Sequence, residues 1–416
     1  MINDKMGGRP MRRKQKQTKP NGFLYWLVSL VTRLVAKFGF RRRVLRNEIK
    51  GKKGPFVVIA NHQTKLDFIN LFDLAGRPLH FVISESFYST LPFQKTMDRL
   101  GMIPKQQFQT TLTDIRRMKT VVENGGGLVI YPAGLMCEDG LSTPIPAATY
   151  RFLAWMKVDV YVARATGTYF VRPKWSKRNR PGRTYMDVYK LFSAQELADM
   201  PVEEIREKAD QALLFDAYRE QEEHKIKYRK NYDLNGLEQV LYMCPHCKTE
   251  FSIGVKNHCH LVCANCGFQH TGDVYGFLRN TGKVGEEIRY VSDWSKLIYE
   301  ELKKKVEDGS ENILTCKAEI HMVDHKKKRF VPAGRGNITL SGDCFLIEGE
   351  INGEQTSLMI PTNSFASLPF QPGKYLEIQG GDKIYRCYLE HGELVMKFIN
   401  MIKIYYEIST TVRARF

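Results

Sequence analysis

The sequence predicts an α/β domain with a mainly parallel sheet, followed by a small thiolate-ligated ribbon and a C-terminal β-rich domain. Three observations carry that reading. Between about 50 and 230, short apolar runs alternate with helical stretches. Cys244-Pro-His-Cys247 is followed, fifteen residues on, by Cys263-Ala-Asn-Cys266. Beyond about 313, strand-like runs are punctuated by turn residues such as Gly334, Gly336, Gly342-Asp343, Asn352-Gly353 and Pro372-Gly373.

Bulk properties narrow the function classes. A length of 416 residues suits two or three domains with their own cores. The net charge of +18 suits phosphate-rich partners, either nucleic acid or an anionic lipid surface. Nine cysteines, four of them in two CxxC pairs, fit metal thiolates in a reducing compartment better than disulfides. There is no signal-peptide cleavage pattern, and no apolar run is expected to reach spanning length.

Taken in order, residues 1–20 are polar and basic and read as a disordered tail. Residues 21–46 read as an amphipathic, membrane-associating helix. Leu27, Leu30, Val31, Leu34 and Phe38 share one face, with Ser29, Arg33 and Lys37 in a polar stripe. The apolar run 23–38 makes roughly 24 Å of helix, short of the roughly 30 Å hydrocarbon core. Arg41, Arg42, Arg43 and Arg46 follow it, so an interfacial helix with a polybasic flank is preferred over a core helix. Residues 47–232 form the α/β domain. Strands are expected at 55–60, 78–83, 127–131, 158–164 and 184–189, and helices near 66–75, 90–99, 111–123, 145–156 and 201–230, the last a solvated linker. The ribbon occupies 233–280 and a helical linker 281–312, with a helix near 292–306. The β-rich domain spans 313–410, with strands expected at 313–323, 329–331, 336–340, 344–351, 356–360, 374–379, 383–390 and 393–398. A closing helix over 393–407 is the alternative at its end, which lends the tail a faint likeness to pleckstrin-homology-like domains.

Chemistry is expected where the first strand ends, at Asn61-His62-Gln63-Thr64-Lys65-Leu66-Asp67. A strand leading through a loop into a helix can fold His62 and Asp67 together. The carboxylate then sets the imidazole tautomer and leaves the other ring nitrogen as a general base. The same spacing recurs at His80–Glu85, but His80 lies inside a strand. Five strand steps separate residues by roughly 16 Å and place them on opposite faces. His80 reads as a packed strand residue.

Further motifs stand downstream: Gly101-Met102-Ile103-Pro104, then Tyr131-Pro132-Ala133-Gly134-Leu135-Met136 with Asp139-Gly140, then the apolar run Val158–Ala163. With the His62–Asp67 block, these four blocks resemble the glycerolipid (lysophospholipid) acyltransferase family of the bacterial 1-acyl-glycerol-3-phosphate acyltransferase type, over roughly 50–230. The resemblance implies transfer of a fatty acyl group from acyl-CoA or acyl-acyl-carrier-protein to a hydroxyl of a lysophospholipid. His62 is implied as the base and Asp67 as its support. Asn61, Lys65, Lys105, Pro132, Gly134, Asp139 and Gly140 are implied in substrate binding. The chain departs from the pattern: Ala133 and Met136 replace the family's Glu and Arg, and Lys105-Gln106-Gln107 stands where an arginine is usual. The prolines of the fourth block are also missing. Lys105, Arg164, Arg172 and Lys174 are candidate substitutes for the lost phosphate-binding arginines, and the acceptor is left open.

Four cysteines at this spacing (Cys244, Cys247, Cys263 and Cys266) close a tetrahedral site with no open position, which implies structural zinc. The leading expectation is a lipid-modifying enzyme on the cytoplasmic face of the membrane, bound to an anionic surface, with no nucleic acid. A catalytically attenuated lipid-binding scaffold is the first alternative, and a nucleic-acid-binding ribbon protein the second.

Overall fold

The computed structural model describes residues 19–107, 111–381 and 383–413, the last three without side chains. All but the end of the expected 1–20 tail lies outside them. The chain enters through α1 (Gly22–Leu34), which a π-helical turn extends to Gly39. Eight large apolar residues on one face of this helix are exposed: Phe23, Trp26, Leu27, Leu30, Val31, Leu34, Val35 and Phe38. The opposite face docks. Tyr25 stacks on Phe72 at 4.3 Å and donates its hydroxyl to the Phe72 carbonyl at 3.0 Å. Arg33 and Arg42 both bind the buried Asp73. One expectation needs correcting here: Gly22–Gly39 is long and apolar enough to cross a membrane by length and composition. The helix extends the apolar run by one residue at each end, Gly22 and Gly39.

The α/β domain follows. Its strands are β1 (Arg43–Asn47), β2 (Phe56–Ala60), β3 (Leu79–Ser84), β4 (Ile103–Lys105), β5 (Gly127–Ile130), β6 (Asp159–Thr166) and β7 (Tyr185–Phe192). Among the described residues they form a seven-stranded sheet in the order β1-β7-β6-β2-β5-β3-β4. Every pairing is parallel except β6 with β7. Central β2 is buried throughout, as an apolar strand covered on both faces must be. Its alternate residues feed two cores. Phe56, Val58 and Ala60 pack with Tyr25, Leu71 and Phe72. The domain's helices are α2 (Asp67–Leu71), α3 (Glu85–Ser89), α4 (Gln94–Arg99), α5 (Leu112–Glu123), α6 (Ala148–Met156), α7 (Thr168–Val171), α8 (Ala194–Asp199) and α9 (Val202–Leu213). Val57 and Ile59 pack with α5, α6 and α9.

β1 was not anticipated, and it spans the expected boundary at 46–47. The stretch expected as a polybasic flank is partly used inside the fold: Arg46 forks onto Asp187 with two 2.9 Å bonds and lies 4.2 Å over the Tyr189 ring. The expected helix 201–230 is also corrected. It breaks at Leu214 and resumes as α10 (Ala217–His224), capped by Asp216. Phe215, Ala217 and Tyr218 are buried there, so the segment is an interface rather than a solvated linker.

Four short antiparallel strands, β8 (Ile253–Lys256), β9 (His260–Cys263), β10 (Gln269–Gly272) and β11 (Leu278–Asn280), form a second sheet. Helix α11 (Val291–Glu307) leads from it to the third. That sheet comprises β12 (Leu314–Asp324), β13 (Arg329–Leu340), β14 (Cys344–Ile351), β15 (Glu354–Pro361), β16 (Phe370–Gln371), β17 (Tyr375–Gly380) and β18 (Lys383–Leu389). It is antiparallel, ordered β15-β14-β13-β12-β18-β17-β16. The two strands expected at 329–331 and 336–340 are one. Gly334 and Gly336 do not turn the chain; they permit close approach to β14, where an added Cβ would strike the Glu350 and Glu348 carbonyls. Residues 393–398 are not a strand. They open α12 (Val395–Arg413), which buries Phe398, Ile399, Met401, Ile402 and Ile404. A short apolar run does not distinguish helix from strand.

Candidate active site

His62 lies in the loop between β2 and α2 (Asp67–Leu71), at the carboxyl edge of the sheet. Its Nδ1 is 2.9 Å from Asp67 Oδ2. The same carboxylate oxygen accepts the Gln63 N–H at 2.7 Å and the Thr64 N–H at 2.9 Å, so three donors fix one atom. Asp67 is buried, while the His62 side chain keeps 21% exposure. Nδ1 is thus committed, and Nε2 is the nitrogen left for a substrate hydroxyl. His80, by contrast, is buried in β3, as strand geometry requires, and burial lowers its pKa.

Neighbouring side chains hold this loop. Asn61 exchanges two 2.8 Å bonds with the Ala165 backbone, joining the end of β2 to β6. Gln63 donates to the Ala165 carbonyl and accepts from Thr168 Oγ1 and the Tyr169 N–H. The loop after β5 covers the base: Tyr131 lies against the imidazole with ring centroids 4.5 Å apart, and the Cys137 N–H binds the His62 carbonyl at 3.2 Å. Pro132 and Gly134 form the turn beyond Tyr131, closed by a Gly134 N–H to Tyr131 carbonyl bond of 2.9 Å, with Gly134 at φ +69°. Gln63, Tyr131 and Cys137 were not anticipated; each adjoins or lies within a quoted block, and only its contacts in the fold show its task.

Other expected residues are engaged by neighbouring elements. Asp139 is buried, accepting the Leu141 N–H and, at 2.6 Å, the Ser295 hydroxyl of α11. Burial and the adjacent Glu138 push its pKa up to about 6. Gly140, at φ +92°, packs against Tyr218. Glu138 is paired with Lys403 of α12. Burial opposes its ionisation, yet Lys403 and Lys174 hold it below the usual carboxylate range. This end of the loop packs against α10, α11 and α12.

The candidate phosphate-binding cations are also largely committed. Lys105 donates to the Gln106 carbonyl at 3.0 Å, and burial lowers its pKa. Arg164 pairs with Glu220 at 2.6 Å. Lys174 is buried over the Phe370 ring at 3.2 Å, and burial pushes its pKa down to about 8. Arg172 binds Asn179 at 2.9 Å. Exposed Lys65 stands close enough to Arg172 for repulsion to add to the effect of desolvation in lowering its pKa.

The second sheet carries the thiolate cluster. The four sulfur atoms of Cys244, Cys247, Cys263 and Cys266 lie within 4.8 Å of one another, and two of the separations are 3.7 Å. A tetrahedron with 2.3 Å metal–sulfur bonds has edges of about 3.8 Å. The donor set therefore fits a metal ion, with no ligand position left for chemistry.

Residues 41–176 match the acyltransferase family model. The chain therefore carries an acyltransferase domain, and that domain contains both His62 and Asp67. Among solved structures, the chain is similar to PlsC from Thermotoga maritima, described as a 1-acyl-sn-glycerophosphate (LPA) acyltransferase. The two are 18% identical over 49% of this chain and 88% of that one, with a TM-score of 0.39. No curated protein sequence matches significantly.

Proposed function

We propose that the protein transfers a fatty acyl group from acyl-CoA or acyl-acyl-carrier-protein to a hydroxyl of a lysophospholipid, with His62 as general base. The observation that carries this reading is the 2.9 Å His62–Asp67 contact inside an acyltransferase domain. His62 Nε2 takes the proton as the acceptor oxygen attacks the thioester carbonyl. The tetrahedral intermediate expels the thiolate, which recovers that proton from the imidazolium. Asp67 favours the charged imidazole throughout, and the thioester needs no enzyme nucleophile. Asn61 and the Pro132–Gly134 turn shape the pocket around the base, and Lys65 supplies a cation at its edge.

The exposed apolar face of α1, with Arg41 and Arg43 beside it, supports a monotopic seat on the anionic cytoplasmic face of the membrane. Four thiolates at tetrahedral spacing support structural zinc in a ribbon, whose strands are too short to bury a core unaided. The antiparallel sheet closed by α12 supports a pleckstrin-homology-like arrangement for the tail. A lipid-binding scaffold without turnover is the second reading, favoured by Ala133 and Met136. Purified protein incubated with labelled thioesters on both carriers and a panel of lysolipids separates the two. Diacyl product supports the enzyme; bound lysolipid with no product supports the scaffold.

A further inference from the structure

The loop that covers His62 is held from far along the chain. β5 ends at Ile130 and α6 begins at Ala148, so the residues between them take their shape from contacts with other elements. At the front, the Tyr131 ring lies against the imidazole, the Cys137 N–H binds the His62 carbonyl, and the Cys137 thiol donates to the Gln63 carbonyl at 3.7 Å. The next two residues, Glu138 and Asp139, are buried carboxylates. Glu138 pairs with Lys403 of α12, and Asp139 accepts the Ser295 hydroxyl of α11 at 2.6 Å. Both partners lie far beyond residue 176, where the family match ends.

Those two helices are firm supports. α11 buries Trp294, whose Nε1 donates to the Met243 carbonyl at 2.9 Å. α12 buries Phe398, Ile399, Met401, Ile402 and Ile404 in the same hydrophobic core as the C-terminal sheet. Hydrogen bonds to ionised groups are short and roughly twice as strong as neutral ones, and burial strengthens them further. Cys137, which touches the backbone of the base, is followed at once by Glu138 and Asp139, so slack at the carboxylates is passed to His62. A general base acts only within hydrogen-bond reach of the proton it takes. A displacement of about 1 Å can cost roughly 10²-fold in rate.

We infer that Lys403 and Ser295 are positioning residues: through Glu138 and Asp139 they hold the 131–140 loop against His62, and the C-terminal module is thereby part of the active-site framework. The kinetic arm of the test rests on the acyl-transfer reading above. Full-length parent, Lys403→Met, Ser295→Ala and the exposed control Lys304→Met are assayed with labelled acyl-CoA and mixed lysophospholipids, each below its own melting transition. The expected kcat falls about tenfold or more in Lys403→Met and roughly threefold in Ser295→Ala, with KM within about twofold. A contribution to stability alone leaves kcat at the parent value once the protein is folded. A second arm needs no turnover. With histidine-labelled protein, the Tyr131 ring at 4.5 Å displaces the His62 Hε1 resonance, which is assigned by its loss in His62→Ala. That resonance should move in Lys403→Met and Ser295→Ala and stay in place in Lys304→Met. Parent kcat in both folded variants, or a His62 resonance unmoved in both, overturns the inference while leaving acyl transfer intact. No acylation by the parent overturns the acyl-transfer reading instead, and the resonance then decides the loop contact by itself.

Discussion

Asp67→Asn removes a charge from the site and keeps its shape. Asp67 Oδ2 receives the imidazole at 2.9 Å and two backbone N–H groups at 2.7 and 2.9 Å. Oδ1 receives no bond. An asparagine carbonyl at the Oδ2 position accepts the same three donors, so the tautomer of His62 is retained. What disappears is the carboxylate beside an imidazolium that forms only as the hydroxyl is deprotonated. Hydrogen bonds to charged groups exceed neutral ones by about 1–1.5 kcal/mol, and the ion pair at the partly exposed His62 adds a similar amount. The combined loss of about 2–3 kcal/mol predicts a fall in kcat of roughly 30- to 150-fold, KM changing little. Asp67→Ala differs, because it strands two buried N–H groups at about 1–3 kcal/mol each. It should lower the melting temperature by several degrees as well as abolishing turnover. Single-turnover acyl transfer and thermal melting on the three proteins measure both effects. Turnover of Asp67→Asn within twofold of the parent, or an Asp67→Ala melt equal to the parent's, refutes the reasoning.

Three other perturbations address the rest of the molecule. Leu30→Glu with Val31→Glu places charges on the exposed face of α1 and should release the protein from sedimenting anionic liposomes; retained binding removes the membrane seat. Elemental analysis should find about one zinc per chain, and a chelator should melt the second sheet first; a metal-free protein with an unchanged melt discards the site. Lys403→Met leaves the buried Glu138 without its ion-pair partner, with only the more distant Lys174 to offset its charge, at a cost of about 3 kcal/mol. Lys304→Met, at a side chain 69% exposed, is the control and should shift the melt little; equal shifts refute the buried pair.

Strong local patterns were legible in the sequence. The apolar runs that became β2, β3, β5, β6 and β7 announced the α/β sheet, and the loop after β2 announced the meeting of His62 with Asp67. What stayed hidden was decided by distant partners. β1 is a basic, exposed run whose strand exists because β7 offers Asp187 and Tyr189 to Arg46. The contacts of Asp139 with α11 and of Gly140 with α10 likewise come from far along the chain. Lys403 sits far along the chain from Glu138, and no local period points to it. Gly334 and Gly336 read as turns because a glycine needed for close strand packing looks, in sequence, like one needed for a bend.

The central claim is that His62 removes the proton from an acceptor hydroxyl. Its most direct measurement is transfer of labelled acyl group from thioester to lysophospholipid by the parent and by His62→Ala, at matched folding. The account predicts diacyl product from the parent and a loss of at least about 10²-fold in kcat for the variant, with acceptor still bound. Equal product from both proteins would contradict it.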